Sequence, residues 1–153
     1  TGYWDKPDAT REALDAEGWL HSGDMARIRE DGHVVFMGRY KDMLKVGGEN
    51  VSPAEVEAYL RVMPEVQDAA VVGCPDPRLA EVPVAFVILE QGRQVGGDTL
   101  VARMKGKIAS YKIPRHVIFV DGFPMTSSGK IRKVELRAQA QARLVMPGEN
   151  ERG

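Results

Sequence analysis

The segment that most constrains the fold of this chain is Gly47-Gly48-Glu49-Asn50-Val51-Ser52-Pro53-Ala54-Glu55, a paired-glycine turn followed by a fully written helix start. Ser52 suits the cap position, Pro53 suits the first helical position, where a missing N–H costs nothing, and Glu55 stands where a capping-box carboxylate reaches back. A helix is therefore expected from Pro53, with Val56, Tyr59, Leu60 and Met63 at helical spacing on its core face and Pro64 ending it. Glu55 and Glu57 are assigned to the cap and to the solvent face. Just upstream, Lys41, Asp42 and Lys45 surround the turn with charge, and glycines allow backbone conformations and ligand approach that other residues resist. Locally, a solvated strand-to-helix connection competes with a loop visited by a polar ligand.

The rest of the chain alternates strands and helices. Residues 1–23 read as irregular structure around one short helix, with Asp8 as its cap and Thr10 to Leu14 as its turn, and with Tyr3, Trp4 and Trp19 wanting a surface to cover. Met25 to Arg29 and His33 to Met37 flank Asp31-Gly32, a strong hairpin signal, though such a ribbon is marginal alone. Val66 to Gly73 and Val82 to Leu89, separated by Pro75-Asp76-Pro77, form an antiparallel pair. Asp98 is expected to cap a second helix carrying Leu100, Val101, Met104 and Ile108, which Tyr111-Lys112-Ile113-Pro114 ends. His116 to Val120 is a third strand, and a last helix runs from about Lys133 to Leu144.

The expected class is α+β: a small domain with a short, mostly antiparallel sheet of about three strands flanked by helices, preceded by a β-hairpin. Its expected divisions are residues 1–40, residues 41–142 and a flexible tail at 143–153.

Composition narrows the function classes. With 43% hydrophobic residues in 153, the chain can bury one real core, and a formal net charge of −1 gives no reason to expect nucleic acid or an anionic membrane as partner. Cys74 is the only cysteine, so neither an internal disulfide nor a Cys-based zinc site can form, in keeping with a cytoplasmic setting. It reads as a small buried hydrophobe. His21, His33 and His116 lack metal-ligand spacing, so no metal site is expected. No apolar run is long enough for a transmembrane helix and no signal pattern opens the chain. The turn-rich opening Thr1-Gly2-Tyr3-Trp4, without an initiator methionine, reads as part of something longer.

A second chemical candidate is Pro124-Met125-Thr126-Ser127-Ser128-Gly129-Lys130. It is not a Walker loop: six residues separate Gly122 from Gly129, where that motif needs four, and Ile131 follows the lysine where a magnesium-holding hydroxyl belongs. What remains is a lysine on a loop, able to bring a point charge to an anion.

Taken in order, Trp19-Leu20-His21-Ser22-Gly23-Asp24, Gly38-Arg39-Tyr40-Lys41-Asp42, Gly47-Gly48-Glu49-Asn50, Tyr111-Lys112-Ile113-Pro114 and Pro124 through Lys130 with Arg132 resemble the C-terminal signature motifs of the adenylate-forming superfamily. The resemblance spans Thr1 to about Ala142 and is nearest to acyl-CoA synthetases. It implies enzymes that join a carboxylic acid to ATP, with magnesium, as an acyl-adenylate, and then let the thiol of CoA displace AMP. Asp24 is thereby implied to accept hydrogen bonds from the ribose hydroxyls, and Arg39 to edge the same site. Lys130 matches the lysine that contacts the carboxylate and the α-phosphate during adenylation. Lys41 matches the hinge on which the small domain pivots, Gly47, Gly48 and Glu49 then flank the pantetheine channel, and Lys45 is a candidate for assisting thioester formation, against the alternative of a solvated strand lysine.

The resemblance also implies a large N-terminal domain as the partner that holds most of the ATP and CoA. Without it, this chain is expected to fold from about Arg39 onward and to lack complete activity. Its hairpin is then expected to be mobile or to pack on a neighbouring chain as an oligomer contact. Two alternatives stay open, an adenylation unit that loads a carrier protein and a non-catalytic module kept for partner binding.

Overall fold

The computed structural model describes residues 2–145, which divide into two compact units, one up to Lys41 and the other from Asp42 onward. In the first, helix α1 (Pro7–Ala13) is followed by strands β1 (Asp24–Ile28) and β2 (Val34–Arg39), an antiparallel pair in which Ile28 faces Val34 and Asp24 faces Arg39. Asp31-Gly32 turns the chain as expected, with Gly32 at φ 82°. Asp8 does not cap α1: the helix opens at Pro7, because proline already has the backbone angle of a first helical residue, and this puts Asp8 inside the first turn.

The second unit is built on a five-stranded sheet, two strands more than the sequence announces. The additional pair is β3 (Leu44–Val46) and β4 (Glu49–Val51), a hairpin closed by Gly47-Gly48. Helix α2 (Pro53–Arg61) follows, then the long antiparallel partners β5 (Val66–Asp76) and β6 (Ala80–Leu89). Helix α3 (Gly97–Met104) is the crossover that lets β7 (His116–Phe119) return parallel to β6, as parallel neighbours require. Helix α4 (Lys133–Val145) comes last and takes in residues 143–145, where the expected tail begins; residues 146–153 of that tail lie outside the described residues. Gly96, not Asp98, takes the cap position of α3, with Asp98 in its first turn.

β6 lies at the centre, with β5 along one edge and, on the other, β7 beside Val84–Val87 and β3 touching at Val46↔Ala80. Its stretch from Val82 to Val87 is buried throughout, as is Ala69 to Cys74 of β5. Unbroken apolar runs of this kind mean that both faces are covered. Ala69, Val71, Ala85 and Val87 pack with Val56, Leu60, Leu100 and Met104 from α2 and α3, while Ala70, Val72, Val84 and Phe86 pack with Leu136 and Ala140 of α4. Each such fully buried Val, Leu or Phe contributes about 2 kcal/mol of transfer free energy.

Two carboxylates depart from the expected solvent positions. Glu55 is half-buried, and Lys112 donates to both its oxygens at 2.8 and 2.9 Å, tying α2 to the Tyr111-Lys112-Ile113-Pro114 segment. Glu57 is only 7% exposed. Its Oε1 accepts from the Val71 backbone N–H at 2.8 Å and from Lys133 Nζ at 2.7 Å. Arg61, a turn further along α2, donates to the Ala69 carbonyl at 2.8 Å and to Asp68 Oδ1 at 2.6 Å.

Candidate functional site

Within the first unit, the fold brings together Asp24 and Arg39. They are register partners at the open end of the β1–β2 hairpin, and Arg39 Nε donates to Asp24 Oδ1 at 3.0 Å. The Tyr40 N–H donates to the Gly23 carbonyl at 2.9 Å and the Asp24 N–H to Ser22 Oγ at 3.2 Å, which fixes the backbone on both sides of the pair. Both side chains remain partly exposed, so the carboxylate keeps capacity to accept from a hydroxyl group brought by a ligand. The loop leading here is ordered by Asp15, a residue the sequence did not single out. Its Oδ1 accepts from the Trp19 and Glu17 N–H groups at 2.8 and 3.0 Å, and His21 Nε2 lies 3.2 Å from Oδ2. The Trp19 N–H bond is foremost in holding the Asp15 carboxyl below the usual carboxylate range.

Lys45, Gly47, Gly48 and Glu49 all lie on the β3–β4 hairpin. Gly47 and Gly48 have φ of 59° and 90°, a two-residue turn with both central residues left-handed, which glycine adopts without strain. The Gly47 N–H donates to the Leu79 carbonyl at 2.8 Å, while a side chain on Gly48 would meet nothing within 4 Å, so the tip presents bare backbone. Lys45 Nζ donates to Asn50 Oδ1, its cross-strand partner, and its N–H donates to Glu81 Oε2 at 2.9 Å. Asn50, named in the sequence only as part of its motif, and Glu81, which sequence reasoning passed over, are thus the partners of Lys45, and the strand pairing is what reveals them.

Lys130 sits on a turn that folds upon itself. Met125 bridges to Ile131, the Thr126 N–H donates to the Lys130 carbonyl at 2.8 Å, and the Lys130 N–H donates to Thr126 Oγ1 at 3.0 Å. Gly129, at φ 77°, makes the reversal, and the Arg132 N–H donates to the Pro124 carbonyl at 2.8 Å. The lysine is exposed and has no ion-pair partner among the described residues. Ile131, next to it, packs on the α4 face of the sheet, whereas Leu44, Val46 and Val51 of the glycine hairpin pack on the α2–α3 face. The glycine hairpin is thus an edge of the sheet itself, with its apolar side chains on the α2–α3 side, while the lysine turn is packed on the α4 side. Lys41 is the last residue of the first unit, within a 3-10 turn at Tyr40–Asp42.

Elsewhere, burial pushes the Cys74 thiol up and lowers the His116 imidazole. Among the described residues no group of three or more His, Cys, Asp or Glu could hold a metal ion, and no helix is long and apolar enough to cross a membrane.

Residues 55–130 match the family model of the AMP-binding enzyme C-terminal domain. The chain belongs to the AMP-binding, adenylate-forming family and carries the C-terminal domain of its enzymes. It is 51% identical over 136 residues to a putative acyl-CoA synthetase, YngI, of Bacillus subtilis, covering 89% of this chain and 25% of that protein. It is 48% identical, with 89% and 28% covered, to a feruloyl-CoA synthase of Amycolatopsis. Among solved structures, the anthranilate CoA ligase AuaEII in complex with anthranoyl-AMP superposes with a TM-score of 0.84 at 37% identity, over 95% of this chain and 28% of that one. The chain therefore spans about a quarter of the length of the curated relatives it matches.

Proposed function

We propose that this chain is the C-terminal part of an acyl-CoA or aryl-CoA ligase. A carboxylate oxygen of the acid attacks the α-phosphorus of ATP and pyrophosphate leaves; the sulfur of CoA then attacks the acyl carbon and AMP leaves. Adenylation replaces an oxide leaving group by a stabilised phosphate, which is why the first step is needed. Lys130 supplies positive charge to the oxygens between acid and α-phosphate as negative charge builds in the transition state. Asp24, oriented by Arg39, accepts from the ribose hydroxyls.

In the second step the Gly47-Gly48 tip, with Glu49 beside it, lines the pantetheine channel, and Lys45 assists thioester formation from the same hairpin. Lys41, at the limit between the two units, is the pivot. ATP with its magnesium and most of CoA are held by a large N-terminal domain, and the chain alone lacks complete adenylation activity.

The observation that carries this reading is the separate seating of the two loops, the glycine turn on an edge hairpin of the sheet and Lys130 on a turn packed against its α4 side. A body that carries two loops on separate supports can offer one to each of two successive reactions by turning. The test uses the whole enzyme. Lys130→Ala is expected to slow ATP–pyrophosphate exchange roughly a hundredfold while sparing thioester formation from supplied acyl-adenylate, and Gly48→Trp to impair thioester formation while sparing exchange. Equal loss of both half-reactions in either variant would remove the two-loop assignment. Robust exchange by this chain alone would remove the need for the large domain.

A further inference from the structure

We propose that Glu57 and Lys133 are positioning residues for Lys130; the inference rests on the adenylation role given to Lys130 above. Glu57 is a charged side chain in the interior, on a helix whose neighbouring residues Val56 and Leu60 are fully buried. A carboxylate is retained in such a place only where donors compensate it. Its Oε1 accepts from Val71 N–H on β5 at 2.8 Å and from Lys133 Nζ at 2.7 Å, with Arg61 Nη2 3.9 Å from Oε2. Val71 packs its side chain on the α2–α3 face, and α4 covers the other. Glu57 therefore joins α2, β5 and α4 at one oxygen.

The part of α4 that it grips decides the consequence. Lys133 is the first residue of α4, and only Ile131 and Arg132 separate it from Lys130. Those two residues have no slack. Ile131 bridges to Met125 and packs against the buried cluster that includes Phe86 and Leu136, and the Arg132 N–H is held by the Pro124 carbonyl. The turn carrying Lys130 is thus closed within itself, and its C-terminal arm runs into a helix whose first side chain is clamped to the opposite side of the sheet. Sliding or tilting of the start of α4 would carry the whole turn with it. The Glu57–Lys133 bond opposes that movement, so it fixes where the Lys130 ammonium is delivered. The glycine hairpin runs through Ser52 into α2, but α2 is held besides by its buried Val56 and Leu60, and the hairpin itself is held through Leu79 and Glu81, so loss of the Glu57–Lys133 bond frees the start of α4 and not the hairpin. The clamp should therefore matter to one half-reaction and not to the other.

The whole enzyme carrying Glu57→Gln, which keeps the shape and the Val71 bond but not the charge, is compared with Lys133→Gln, Lys133→Arg and Lys130→Ala. Glu57→Gln and Lys133→Gln are expected to slow ATP–pyrophosphate exchange at least tenfold, chiefly in kcat, while thioester formation from supplied acyl-adenylate stays within twofold. Lys133→Arg should restore exchange to within threefold of the parent. In the Lys130→Ala background, Glu57→Gln should cost exchange nothing further, because there is no ammonium left to place. If Glu57→Gln does not fold, Lys133→Gln, at a partly exposed side chain, bears the same test alone. Proportional loss of both half-reactions, unchanged exchange, or full additivity with Lys130→Ala overturns the proposal. Should Lys130→Ala itself leave exchange intact, the adenylation role is what fails; should it slow exchange while the clamp variants do not, the clamp alone fails.

Discussion

The β1–β2 ribbon and the β5–β6 pair are both antiparallel hairpins, yet they are stabilised in opposite ways. Along β6, every residue from Val82 to Val87 is buried between helices. In the ribbon, Ile28, Val34 and Phe36 are 73%, 68% and 60% exposed, and Trp4 of the same unit is 95% exposed. One pair carries its own core; the other carries the Asp24–Arg39 bond and apolar side chains that need a surface from outside. Function and stability are therefore divided: the ribbon contributes a ligand-facing pair, and the five-stranded unit contributes the free energy of folding.

That contrast can be broken by mutation. The largest effect is expected for Phe86→Ala, which empties a site between β6 and α4 and should cost about 3–5 kcal/mol in urea unfolding of this chain. Phe36→Ala in the ribbon should cost about 0.5 kcal/mol or less, since its side chain leaves water only in part. Comparable losses would mean that the ribbon shares the core. Next comes Lys130→Ala, which should raise the adenylation barrier of the whole enzyme by about 3 kcal/mol, roughly a hundredfold in pyrophosphate exchange, without changing the unfolding midpoint. Gly47→Val should destabilise by about 2 kcal/mol, because a β-branched residue is forced to φ 59° with its Cβ 3.3 Å from Leu79; the urea midpoint reads it.

The smallest effect concerns pH. Asp76, whose carboxylate accepts from the Arg78 and Leu79 N–H groups at 2.9 Å each, is held below its usual 3.8, first by Arg78 N–H. Its contribution is complete above 3.8 and is lost as the pH falls through the lower, folded value. Asp76→Asn should flatten the fall of the thermal midpoint in that acid range. Asp15→Asn, which removes the equivalent turn carboxylate from the other unit, should leave the midpoint of the five-stranded unit unchanged.

Much of this was legible because local rules were strong. Asp31-Gly32 marked the ribbon, Pro53 and Pro64 bracketed α2, and the apolar runs gave β5 and β6. The β3–β4 hairpin escaped because each strand has three residues, and Lys45, Glu49 and Asn50 read as loop chemistry when taken singly. What it lacked in pattern it makes up by long-range support from Leu79 and Glu81. Glu57 was misplaced for a related reason. Its spacing on α2 does not betray that Lys133, 76 residues later, arrives to neutralise it. The candidate residues could be named one by one from the sequence, but the pairing of Lys45 with Asn50 and of Asp24 with Arg39 is a matter of strand register, which the sequence does not number.

The bonds from Glu57 to Val71 N–H and from Arg61 to the Ala69 carbonyl have one more consequence. β5 has β6 on one side only, and on the other its outward amide groups would be a template for a strand from another molecule. Two side chains from α2 already occupy two of those pairing groups along the middle of the strand. Growth of the sheet by edge-to-edge polymerisation would first have to strip them off, which gives the five-stranded unit a built-in resistance to aggregation.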